Sequence, residues 1–128
     1  MRLFDNTTAE TYLVSDIAVA RWKQYALGDC MPFDTMWYTV PPGSSSPPDC
    51  HPEVELAVVV TGSAAVEAGG RITEVNEGSA FLLDSRETHV VHNRSADCPL
   101  LVFSTYWMPR AATGVTVAAR SAQEALSA

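Results

Sequence analysis

From Met36 to Trp107 short apolar runs alternate with turn-forming residues: MWYTV, ELAVVV, SAAVEA, RITEV, SAFLL, THVVHN and LLVFSTYW, each five to eight residues long. β-Branched and aromatic residues dominate them, and none has the length or the 3.6-residue recurrence of an amphipathic helix, so each is predicted to be a strand. The separators PPGSSSPPD, TG, GG, NEG, DSRE and RSADCP carry glycine, proline, asparagine, aspartate and serine, the residues that accept turn geometries. Gly69-Gly70 in particular predicts a two-residue hairpin loop. Seven or more short strands at this spacing predict an all-β antiparallel sandwich or barrel-like jelly roll and disfavour a parallel α/β fold.

The ends are less patterned. AVARWKQYAL at 18–27 has features of both an amphipathic helix and an edge strand. Ser15-Asp16 would cap a helix, but Trp22, Tyr25 and the valine favour a strand. Near the C-terminus GVTVAA predicts a last strand and SAQEALSA a frayed helical turn. No repeat or linker divides the chain, so 1–128 is expected to form one domain: a core over about 36–108, an N-terminal segment over 1–30 and an extension over 112–128.

The 128 residues suffice for one domain with its own core. Fifteen acidic against eight basic residues give a net charge of −7. No Lys/Arg cluster exists to neutralise phosphates, which argues against nucleic acid as a partner. No apolar run approaches membrane-spanning length, and MRLFDNTTAETYL lacks the basic-then-apolar order of a secretory signal. The expectation is a cytoplasmic protein with no membrane partner. Cys30, Cys50 and Cys98 are odd in number and without CxxC spacing, so they read as reduced thiols.

The chemistry concentrates in DCHPEVELAVVV, where ionisable side chains run into valine. Strand alternation puts Glu55, Ala57 and Val59 on one face, and His51 joins them if the strand begins near Pro52. LAVVV is apolar on both faces, so Glu55 is expected inside, where an ionised carboxylate costs several kcal/mol unless paired or bound to a cation. Downstream, His89 shares a face with Val91 and Asn93, while His92 points the other way and Glu53 reads as a solvated surface residue. Two histidines and a carboxylate on neighbouring inward faces make a facial ligand set for one divalent transition metal: iron, zinc, manganese or nickel. Leu56, Val58 and Val60 would point outward and need cover, either a second subunit or the N-terminal segment. A homodimer is the simpler expectation.

The spacing of these residues resembles the two motifs of the cupin family. Gly43 is followed after five residues by Asp49, after one by His51, after three by Glu55 and after six by Gly62. This is the family's first motif with its first histidine replaced by Asp49. Gly78, Asp84, Arg86, His89 and Asn93 follow the second motif, with Asp84 and Arg86 where the family has proline and glycine. The resemblance covers 43–93 and implies a double-stranded β-helix, a cupin jelly-roll barrel, with one metal inside. It implies His51, Glu55 and His89 as ligands and Asp49 as either a fourth ligand or an acid/base beside the metal. The function it implies is a metal-dependent enzyme acting on a small organic molecule, such as a natural-product tailoring step, with oxygenase-type chemistry favoured. The alternatives are Lewis-acid isomerase, lyase or cyclase chemistry, including rearrangement of an amino-acid-derived intermediate, and a non-catalytic small-molecule or metal-sensing module. Arg86 is the first candidate to clamp a substrate carboxylate, and Tyr38 and Tyr106 are candidate pocket residues.

Overall fold

The computed structural model describes residues 1–110; the expected strand in GVTVAA and turn in SAQEALSA lie outside them. The seven predicted runs are all strands: β3 (Asp34–Val40), β4 (Val54–Thr61), β5 (Ser63–Ala68), β6 (Arg71–Asn76), β7 (Ala80–Leu83), β8 (His89–His92) and β9 (Leu100–Trp107). Two more precede them, β1 (Tyr12–Val14) and β2 (Ile17–Arg21). The ambiguous AVARWKQYAL segment therefore divides: its first part is strand, paired on both sides rather than at an edge, and Trp22–Tyr25 is one 3-10 turn. Among the described residues there is no α-helix.

All pairing is antiparallel, in two sheets facing each other. The larger has the order β1-β2-β3-β9-β4-β7 and the smaller β6-β5-β8. Bridges from Ser45 to His92 and from Asp49 to His89 add the 45–49 stretch to the free side of β8. This is the jelly roll expected from the strand pattern. Gly69 and Gly70, at φ of 58° and 73°, close the β5–β6 hairpin with Ala68 opposite Arg71. Two successive positive φ angles are what a type I′ turn requires.

The chain leaves the larger sheet for the smaller at Gly62, just beyond a register shift between Val59 and Thr61. There φ is 90°, and a Cβ would sit 2.7 Å from the carbonyl oxygen of Pro99. The last glycine of the first motif is thus fixed by backbone packing against backbone.

The inner faces interdigitate by alternation. Ala57 and Val59 of β4 are fully buried, with Val40, Leu100 and Val102 beside them and Val66 and Val91 facing from the smaller sheet. The outer face of the larger sheet has two halves. Over β3 and β9, Trp22 packs on Trp37 and Phe103 at centroid distances of 4.9 and 5.7 Å, with Phe4 and Tyr25 stacked behind it. The N-terminal segment therefore covers that half. Over β4 and β7, Leu56, Val60 and Leu82 remain exposed and Val58 is half-buried.

Asn93 is structural, as its position in the second motif suggests. It is buried, and its amide donates to the carbonyls of Val40 and Cys98 at 2.9 and 2.8 Å. Arg86, where the family has glycine, adopts φ of 62° in the turn closed by Glu87 N–H donating to Asp84 O. A side chain in that conformation costs about 1 to 2 kcal/mol. Arg86→Gly is expected to stabilise the fold by about 0.5 to 1 kcal/mol, the glycine's extra unfolded-state freedom offsetting part of the relief. A rise in urea midpoint at constant m-value checks it.

Candidate metal centre

Register brings the polar side chains to one end of the sandwich. Glu55 opens β4 and faces Tyr106 of β9 and Leu83 of β7, while Val40 and Leu100 fill the opposite end. Glu55 is 5% exposed and His89 6%, so both predicted inward residues are buried. His51 is half-buried just before β4, and the exposed Asp49 is held beside His89 by reciprocal backbone hydrogen bonds of 3.0 and 2.9 Å.

Ligating atoms of Asp49, His51 and His89 all lie within 4.8 Å of one another. Glu55 stands outside that triad and meets it through His51, whose Nε2 is 3.1 Å from Glu55 Oε1. Both imidazoles are oriented by backbone. His51 Nδ1–H donates to the Glu53 carbonyl at 3.0 Å, and His89 Nδ1–H to the Glu87 carbonyl at 2.9 Å. A neutral ring fixed in this way presents its Nε2 lone pair, the arrangement in which histidine binds a metal. Nε2 and a carboxylate oxygen 3.1 Å apart stand at about the spacing of adjacent ligands on one ion with bonds of ~2.1 Å. Two imidazoles with their other nitrogens committed and two carboxylates therefore fit a divalent first-row ion.

Two cavities reach these residues. One, of about 150 Å³, is lined by Asp49, Glu55 and His89 together with Val19, Met36 and Val91. The second, of about 200 Å³, adds His51, Glu53 and Tyr106. Tyr38 lines the first beside Glu55. Burial, and then the Glu55 charge, push its phenol well above the ordinary range, so it stays a hydroxyl donor. Tyr106 lines the second, its phenol likewise raised by burial.

Arg86 is exposed and lines neither cavity. Its backbone instead ties the turn to the first motif, N–H donating to His51 O at 2.7 Å and C=O accepting from Cys50 Sγ at 3.3 Å. The guanidinium that lines both cavities is that of Arg21, which sequence reasoning missed. Its signal was alternation: once IAVAR is a strand, Ile17, Val19 and Arg21 share the inner face. His92 lies outside the ligand cluster, between Ser45 Oγ at 2.6 Å and Glu67 Oε2 at 3.0 Å.

Comparison with known proteins agrees with this fold. The family model described as the Cupin domain matches residues 36–106. A cupin 2 conserved barrel domain protein from Salinispora arenicola superposes with a TM-score of 0.71 at 22% identity, over 96% of each chain. A predicted oxalate decarboxylase from Thermotoga maritima gives 0.71 at 16% identity, over 84% of this chain and all of that one. KdgF from Halomonas sp. gives 0.65 at 19% identity, over 86% and 96%. No curated protein sequence matches the chain. Among the described residues no helix is long and apolar enough to cross a membrane.

Proposed function

The chain belongs to the cupin family, and on that premise we propose that it is a metal-dependent enzyme acting on a small organic molecule. The observation that carries this reading is the convergence of Asp49, His51 and His89 within 4.8 Å, with Glu55 against His51, where two cavities meet the cluster, one reaching His89 and the other His51. His51, His89, Glu55 and Asp49 would hold the ion, and the two carboxylates would cancel the charge of a divalent metal. When bound, such an ion supplies Lewis-acid polarisation of a substrate oxygen or, as iron, activation of dioxygen at its remaining positions.

The protein's own groups do the rest. The Glu53 and Glu87 carbonyls keep both imidazoles aimed, and the Tyr38 hydroxyl offers a donor beside Glu55 inside the apolar wall. That wall limits the substrate to a small, partly apolar molecule, because a cavity of about 150 Å³ is below the size that takes drug-like ligands. The resemblance to a predicted oxalate decarboxylase supports an enzyme over a sensing module.

Reconstitution with iron(II), zinc, manganese or nickel, followed by mass-spectrometric metal analysis, is expected to give about one equivalent per chain for at least one metal. Uptake below roughly a tenth of an equivalent for all four would refute the reading, since a structural barrel has no need to collect these donors.

A further inference from the structure

Arg21 is the cation that lines both cavities at the ligand cluster. Its partners are neutral: Nε donates to the Tyr12 hydroxyl and an Nη to the Tyr106 hydroxyl, and the guanidinium lies 5.9 Å from the Tyr106 ring centroid. Among the described residues every ion pair involves a histidine, and no carboxylate oxygen comes within 4.0 Å of Arg21. The guanidinium is held above its ordinary value. Burial alone would lower it, and the two phenol oxygens outweigh burial. A planar five-donor fork, aimed by two hydroxyls and not neutralised, is the chemistry that receives a carboxylate in bidentate fashion.

We propose that Arg21 is a specificity-determining residue that binds the carboxylate of the substrate, so the site takes small organic acids with a short apolar body. The proposal rests on the metal-site reading for its charge balance. With a divalent ion cancelled by Asp49 and Glu55, Arg21 is the unbalanced charge of the smaller cavity, and one carboxylate neutralises it. Glu53 lines only the second cavity and turns its carboxylate to within 3.5 Å of His51 Nδ1. The body of the acid lies against Val19, Met36 and Val91, walls that suit a short aliphatic chain. Tyr12 and Tyr106 are positioning residues: they touch the guanidinium and fix its plane.

The test compares isobutyrate and isovalerate with isobutyramide and isovaleramide, near-isosteric pairs differing in charge, by calorimetric titration of the zinc-loaded protein and of Arg21→Gln. Wild type is expected to prefer each acid over its amide by about 10-fold or more, and Arg21→Gln to bring the ratio close to one. A ratio that survives Arg21→Gln, with zinc content unchanged, means that the ion alone holds the carboxylate and overturns the proposal; so does failure of both acids to bind at millimolar concentration. Arginine-selective ¹⁵N labelling of wild type adds a readout independent of any variant. The Arg21 side-chain resonances should move with the acids and stay with the amides, and no movement with the acids counts against the clamp. Failure of the metal-site reading shows separately, as zinc uptake well below one equivalent; Asp49 and Glu55 then stand uncompensated in the cavity and the clamp's charge balance falls with that reading, whereas full zinc uptake with an acid-to-amide ratio unmoved by Arg21→Gln overturns the clamp alone.

Discussion

His89→Ala is expected to lower metal affinity by roughly 100-fold or more while leaving the barrel folded. Removing a group that only orients a metal-binding side chain already costs 10- to 100-fold, and His89 supplies a lone pair rather than an orientation. The fold should survive because the side chain faces the cavity, its Nδ1–H donates only to the Glu87 carbonyl in the adjoining turn, and the hydrogen bonds joining residue 89 to Asp49 are backbone to backbone. Isothermal titration with zinc, alongside circular dichroism melts of the metal-free proteins, separates the two effects. Asp49→Ala gives the graded comparison. Asp49 is exposed and its Oδ1 also accepts from Cys50 N–H, so its loss should weaken binding by about 10-fold and Asp49→His should restore it. Unchanged affinity in Asp49→Ala would make the site a three-ligand one, with Asp49 left to move a proton.

Gly62→Ala is expected to destabilise the protein by about 2 to 5 kcal/mol, the sum of left-handed backbone strain and overpacking. A Cβ there would lie 2.7 Å from Pro99 O and 3.2 Å from Leu100 Cα, and neither neighbour is a flexible side chain. Leu100 itself is fully buried and paired with Val40, so relief would have to come from shifting β9 against both its neighbours. Urea unfolding measures the loss directly. A change under about 0.5 kcal/mol would mean that the crossing between the sheets is free to shift.

Where alternation is strict, the sequence speaks plainly. ELAVVV and THVVHN placed Glu55, His89 and Asn93 inside and His92 outside because a period of two leaves no other choice once the valines define the core. Two features were less legible. SSSPPD reads as loop, since serine and proline suit turns, yet Ser45 and Asp49 pair with β8; short bridges of this kind depend on what lies opposite, which composition does not encode. Arg21 was hidden because the aromatic run behind it, WKQY, carries helical and strand features at once. Its 3-10 turn is held by packing of Trp22 on Trp37 and Phe103, contacts distant in the chain. Arg86 stands three residues before His89 in sequence, yet in its positive-φ turn the side chain is exposed and only its backbone meets the site.

The two motifs come from opposite layers. His51 and Glu55 lead into β4 of the larger sheet, whereas His89 belongs to β8 of the smaller and Asp49 is bridged to it. An ion shared by them is a clasp between the layers at the end where aliphatic packing gives way to polar groups. The sheets then cannot part there without releasing it, and an ion at 100 times its dissociation constant adds about 2.7 kcal/mol against global opening. Metal supply would thereby set how often the cavity mouth gapes, and with it how fast the amides of β4 and β8 exchange with solvent.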